Sequence, residues 1–253
     1  MSEEYAIRIK NLSKIYKKYT IQINSLKSFV LQYIKYKKEK SKIDVLKIIN
    51  NLSLDINKGD ILCILGFNGA GKSTLAKMIA GTTQPTSGKI IVNGRIVPFL
   101  ELGVAFNTEL TGRDNVYLNG ALLGLNLKYI RKHIDEIFKF AEISDFIDTP
   151  LKYYSSGMQM RLAFSIGMHA NGDIYIFDEI LAVGDINFQK KCEYTFKNLI
   201  KNKKTIIIIT HDMEVIKKYA TKVLYLYNGK YTIVENREKI KQIDKIKLEN
   251  RVV

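Results

Sequence analysis

Gly66-Phe67-Asn68-Gly69-Ala70-Gly71-Lys72-Ser73-Thr74 carries the spacing G-x-x-x-x-G-K-S, a phosphate-binding loop. The apolar run Ile61-Leu62-Cys63-Ile64-Leu65 before it reads as a buried parallel strand. Behind it, Thr74 to Ala80 reads as a helix that stops at Gly81. Strand, glycine loop and helix in that order are the context such a loop needs. Gly66, Gly69 and Gly71 let the backbone wrap a phosphate closely, where a β-carbon would obstruct it. The start of the helix offers unpaired N–H groups and the positive end of its dipole. Asn68, Ala70 and Thr74 complete the cradle; Lys72 reaches the β- and γ-phosphates, and Ser73 sets its hydroxyl on Mg²⁺.

Outward from this loop, the chain of 253 residues has room for one large α/β domain with a small inserted part. No apolar run approaches the roughly 18 residues that a membrane span requires. The start, Met1-Ser2-Glu3-Glu4, shows no secretory signal. Two cysteines, Cys63 and Cys192, are too few for a disulfide framework, and a reducing cytoplasm fits them. The net charge of +15 is compatible with nucleic acid, an anionic membrane or an anionic substrate. Lysine supplies most of it in a chain also rich in Ile, Asn and Tyr, as a biased genome would produce.

In chain order, Tyr5–Ile9 alternates as a first strand. Residues 17–42 hold eight lysines and one acid, Glu39, and Leu26, Phe29, Val30, Tyr33 and Ile34 fall at helical spacing. A basic amphipathic insertion of this kind lies on headgroups or a membrane partner, or turns its stripe onto its own domain. Val45–Ile49 and Leu52–Ile56 read as the next edge strand. Lys89–Val92 and Arg95–Val97 read as a hairpin about Asn93-Gly94. Residues 107–159 change to helical spacing and read as an inserted helical subdomain; residues 236–253 read as a charged C-terminal helix. Thr205–Ile209 is a central strand, and Val223–Tyr227 with Tyr231–Val234 is a hairpin about Asn228-Gly229.

Four further pieces narrow the chemistry. The strand Ile174–Phe177 ends in Asp178-Glu179. There Asp178 is placed to hold Mg²⁺ through water, and Glu179 to orient or deprotonate an attacking water. Ser155-Ser156-Gly157-Met158-Gln159-Met160-Arg161 opens a helix and offers hydroxyls and a helix N-terminus to an anion. Ala182-Val183-Gly184-Asp185 follows the acid pair. His211 ends the next strand, where a neutral imidazole can bond a γ-phosphate or the attacking water.

Taken together, these motifs resemble the ATP-binding-cassette ATPases over nearly the whole chain. The resemblance implies a P-loop NTPase (RecA-like) α/β core, residues 5–106 and 160–235, with an antiparallel β subdomain and the helical insertion. It implies ATP and Mg²⁺ as ligands and a homodimer that sandwiches two nucleotides. Ser155, Ser156, Gly157 and Met158 then act on the ATP held by the second subunit, Asp185 belongs to the loop at the dimer interface, and Tyr16 stacks on adenine. Lys72, Glu179 and His211 carry catalysis. Tyr154–Met158, Asp178–Asp185, Phe188–Cys192, Leu100–Asn107 and Leu110–Asn115 are similar to the polysaccharide exporters of O-antigen, teichoic acid or capsule type. Those motifs imply a polytopic membrane permease as partner, a lipid-linked polysaccharide as cargo, and a peripheral place on the cytoplasmic face of the membrane.

The signature usually reads Gly-Gly-Gln after its serine, where this chain has Ser156-Gly157-Met158. Glu101 sits nearest the place of the glutamine that usually contacts Mg²⁺. With the chain ending at Val253, no glycan end-cap domain is expected. A cassette ATPase acting on nucleic acid or ribosomes is the rival reading; the single cassette without a long coiled-coil insertion makes nucleic acid the weaker expectation. A lipid or peptide cargo is a second rival, and a nucleotide kinase a third that gives Ser155 and His211 no purpose.

Overall fold

The computed structural model describes residues 5–18, 44–100, 103, 105–178, 184–235, 238 and 240. Residues 19–42 of the basic insertion, Glu101, Glu179 and almost all of the 236–253 tail lie outside the described residues.

Two sheets are present. The smaller is antiparallel, in the order β2-β1-β4, from β1 (Tyr5–Lys18), β2 (Asp44–Asn57) and β4 (Ser87–Val92). The larger runs β5-β6-β7-β3-β8-β9. Its strands are β3 (Ile61–Gly66), β5 (Ile96–Phe99), β6 (Ile174–Asp178), β7 (Thr205–Ile209), β8 (Lys222–Tyr227) and β9 (Lys230–Val234). The first five strands in that order are parallel and β9 is antiparallel to β8. The fold is thus α/β with a parallel core and a separate antiparallel sheet.

The continuous apolar runs follow from burial on both faces. Along β3, Cys63 and Leu65 join one core while Leu62 and Ile64 join the other. Strand β7 divides likewise, Ile206 and Ile208 against Ile207 and Ile209. One face is covered by the antiparallel sheet and by α1 (Lys72–Ile79), through Leu75, Ala76, Met78 and Ile79. The other face is covered by α2 (Gly112–Leu122), α3 (Leu127–Ala141), α4 (Ser156–His169), α5 (Ile186–Lys201) and α6 (Met213–Tyr219).

Strands β1 and β2 are longer than the two alternating runs suggest. Each continues through an asparagine with positive φ, Asn11 at 48° and Asn51 at 53°, beside irregular register. The Asn11 N–H donates to Ser53 Oγ and the Asn51 N–H to Ser13 Oγ, so the irregularity leaves these N–H groups satisfied.

The expected hairpin about Asn93-Gly94 does not form. Strand β4 pairs with β1, and the next strand, β5, pairs parallel with β6 in the other sheet. The dipeptide is a crossing between sheets. Asn93 stays bonded to β1 through its N–H to Ala6 O, while the Arg95 N–H already donates to Asp173 Oδ2 at the start of β6. The Asn228-Gly229 hairpin does form, with φ of 47° and 74°, as a two-residue turn requires.

The helices between β5 and β6 pack as a layer. Thr111 caps α2 by accepting from the Asp114 N–H, and buried Ser165 of α4 donates to Ile137 O of α3 at 2.6 Å. Helix α4 runs unbroken through residues 159 and 160, where the insertion was expected to end. Ser165 ties it to α3, and two residues on Gly167 meets the core, where a β-carbon would lie 2.7 Å from the Phe99 ring.

Candidate functional site

The parallel order places the C-terminal ends of β6, β7 and β3 side by side, with Asp178 opposite Ile209 and Ile64 opposite Ile209 in register. Ligand sites of open α/β sheets form at such strand ends. Asp178 ends β6, Gly66 ends β3, and His211 follows Thr210 just beyond β7. A cavity of about 450 Å³ joins Gly66, Phe67, Asn68 and Lys72 to His211, with Leu65 and Tyr225 in its wall.

The loop has the shape its glycines permit. Gly66, Gly69 and Gly71 have φ of 151°, 80° and 100°. The Ala70 N–H donates to Phe67 O at 3.0 Å. Helix α1 starts at Lys72 with Gly71 as a cap that has no side chain to occupy the first-turn N–H groups. Ser73 and Thr74 lie in that first turn, Ser73 exposed. The Lys72 ammonium donates to Gly66 O at 2.9 Å and Phe67 O at 3.1 Å, so it arches over the loop it follows. His211 stands on a turn fixed by the Asp212 N–H donating to Thr210 Oγ1, with Asp212 then capping α6.

Ser73 and Asp178 provide a hydroxyl and a carboxylate, hard oxygen donors of the kind Mg²⁺ takes together with nucleotide phosphates. The residues present therefore fit that ion.

Tyr16 lies on β1 in the smaller sheet, 44% exposed, opposite Leu46 of β2. The Lys14 ammonium stands 5.0 Å from its ring centroid and donates to Gln84 O. Ser155 caps α4 by accepting from the Met158 N–H at 3.2 Å, with Ser156 and Gly157 in the first turn. Asp185 caps α5 by accepting from the N–H groups of Asn187 and Phe188, both at 3.0 Å. The Phe188 N–H, with Arg161 nearby, holds the Asp185 carboxyl below its ordinary range.

Among the described residues, then, the fold gathers the glycine loop, Lys72 and His211 around one cavity and sets Asp178 on the neighbouring strand end. It does not bring Tyr16, Ser155–Met158 or Asp185 to the wall of that cavity. Phe67 and Tyr225 line it without having been singled out. Phe67 stood inside the quoted motif, whereas Tyr225 is reached only through the pairing of β8 with β3. No helix among the described residues is long and apolar enough to cross a membrane.

Residues 49–182 match the family model described as ABC transporter. The O-antigen export system ATP-binding protein RfbB of Klebsiella pneumoniae is 41% identical over 78% of this chain and 80% of its own length. The teichoic acids export ATP-binding protein TagH of Bacillus cereus is 32% identical over 98% of this chain and 45% of its own. Among O-antigen relatives, the chain spans from 52% to 80% of the relative's length. A solved ATP-binding cassette, dimeric and bound to ADP and Pi, superposes with a TM-score of 0.68 at 22% identity, covering 89% of this chain and 97% of that one.

Proposed function

The chain belongs to the ABC transporter family, and from that premise we propose that it is the ATP-hydrolysing subunit of an exporter for a lipid-linked polysaccharide. The observation that carries the reading is the cavity in which Lys72 and the glycine loop meet His211 beside the strand end bearing Asp178. The names of the relatives, O-antigen and teichoic acid export, support the cargo class.

In this reading, ATP lays its phosphates on the first-turn N–H groups of α1 and beneath Lys72. Ser73 and Asp178 would hold Mg²⁺, which would supply neutralisation of the phosphate charge. Glu179, next in sequence to Asp178, takes the proton of the attacking water, and His211 bonds the γ-phosphate. Tyr16 stacks on adenine. Ser155, Ser156, Gly157 and Met158 reach the nucleotide of a second copy, and Asp185 lies at that dimer interface. Glu101 sits nearest the place of the usual Mg²⁺-contacting glutamine. Closure of the dimer moves a polytopic permease on the cytoplasmic face of the membrane.

The test has two parts. The purified chain hydrolyses MgATP, and cells lacking it lose a surface polysaccharide while its lipid-linked precursor accumulates inside. An intact surface glycan in such cells, with a changed lipid or peptide profile, overturns the cargo. Salt-sensitive binding to ribosomes or duplex nucleic acid, with no permease captured, overturns the exporter.

A further inference from the structure

Glu142 closes α3 in the left-handed region, with φ of 60° and ψ of 41°. A helix C-cap of this kind favours glycine, and a residue with a β-carbon is strained there. The side chain that this chain keeps at the strained position reaches two cations on two other helices. Glu142 Oε1 lies 3.2 Å from Lys191 Nζ of α5, and Oε2 lies 3.7 Å from a guanidinium nitrogen of Arg161 on α4. That same Arg161 nitrogen is 3.8 Å from Asp185 Oδ2. Arg161 is mostly buried, and it stands between the end of α3 and the residue that starts α5.

Further contacts brace this cluster. Lys191 also donates to Phe140 O at 2.6 Å and lies 4.5 Å from the Phe140 ring centroid. The buried Phe188 ring, 6.0 Å from both Phe140 and Phe164, forms the floor under Arg161 and Lys191. Gly184, with φ of 75°, passes so close to Phe188 that a β-carbon would lie 3.1 Å from it.

We propose that Glu142 is a positioning residue for ATP hydrolysis: through Arg161 and Lys191 it sets the helix that begins at Ser155 and the Asp185 loop as one unit with the end of α3. This rests on the cassette ATPase reading above. Glu142 is not among the residues lining the cavity of Lys72 and His211. It acts by fixing the angle at which Ser156–Gly157 and Asp185 are presented, and misplacement by a fraction of an ångström reaches the rate of the chemical step.

The experiment uses the full chain, with MgATP turnover resolved into kcat and KM, equilibrium binding of a fluorescent ATP analogue, and thermal melting. Glu142→Gln lowers kcat about tenfold while KM and analogue affinity stay within about twofold. Glu142→Gly relieves the strained backbone and melts no lower than Glu142→Gln, yet loses the same turnover. Combining Glu142→Gln with Asp185→Asn costs clearly less than the two single losses together, because the two carboxylates share Arg161. Exposed Glu136→Gln on the same helix serves as the charge control and leaves kcat unchanged. Unaltered kcat in both Glu142 variants, a loss that tracks melting temperature, or additive single effects overturns the proposal and leaves the ATPase reading standing. A wild-type chain without MgATP turnover overturns both.

Discussion

Lys72 Nζ donates to the carbonyl oxygen of Gly66, 2.9 Å away across the loop that separates them. The ammonium is held by Gly66 O and Phe67 O, on the wall of the cavity that His211 shares. A cation fixed in this way needs little rearrangement to meet a phosphate, and a preorganised charge of this kind is worth about 10²–10³ in rate. Lys72→Ala is therefore expected to lower kcat for MgATP at least about 100-fold. Its melting temperature should stay close to wild type, since only bonds at a half-exposed loop are lost. Turnover and melting on the same purified sample check both halves.

The glycines of the loop are not equivalent. A β-carbon at Gly66 would lie 2.5 Å from Leu226 O, and that oxygen belongs to the strand paired with Gly66. At Gly69, with φ of 80°, a β-carbon would meet nothing within 4 Å. Gly66→Ala combines a backbone clash with an unfavourable φ and should cost about 3 kcal/mol or more. Gly69→Ala carries the φ penalty alone, about 1–2 kcal/mol. Denaturant unfolding of the two variants should rank them in that order.

The contrast between two Asn-Gly pairs shows what could be read from the sequence and what could not. Both pairs mark a change of direction. At Asn228-Gly229 both residues adopt positive φ and the strands pair. At Asn93-Gly94 the next strand is captured by β6, where Asp173 and Ile174 donate their N–H groups to Arg95 O. Partner choice is a long-range event that a dipeptide does not encode. Pro98, which can donate no ladder bond, was the local sign that β5 would lie at a sheet edge. The same division runs through the site. The glycine loop, Asp178 and His211 are motifs, legible because their chemistry demands fixed types at fixed spacing. The Glu142–Arg161–Asp185 cluster draws on three elements, and only tertiary packing brings them together.

Asn115 is fully buried near the start of α2 and ties down the segment leading into it. Its Oδ1 accepts from the Asn107 N–H at 2.8 Å, and its Nδ2 donates to the carbonyls of Asn107, Leu110 and Thr111. Asn115→Ala leaves these backbone groups without their side-chain partner in a buried place. The expected loss is about 2–3 kcal/mol of stability. Proteolysis should accelerate first within residues 105–111, ahead of the global transition, because that segment loses its anchor. Cleavage products mapped by mass against an unfolding curve decide the matter.

Burial pushes the thiols of Cys63 and Cys192 up to about 12. The neutral thiol is the form the folded core retains, whereas the unfolded thiol titrates near 8.5. The stability this contributes is present in full below about pH 8.5, and it falls as pH rises from there towards about 12, because the unfolded chain gives up protons that the folded chain keeps. The slope expected is about 1.4 kcal/mol per pH unit for each thiol. Unfolding free energy measured from pH 8 to pH 10 should therefore decline, and Cys63→Ala should flatten the decline even though it opens a small cavity in the core. At pH 8 the native thiols should react with a disulfide reagent only as fast as the protein opens. Rapid labelling of both cysteines without unfolding, or a pH slope unchanged in Cys63→Ala, would contradict their burial in the two-faced sheet and its helical cover.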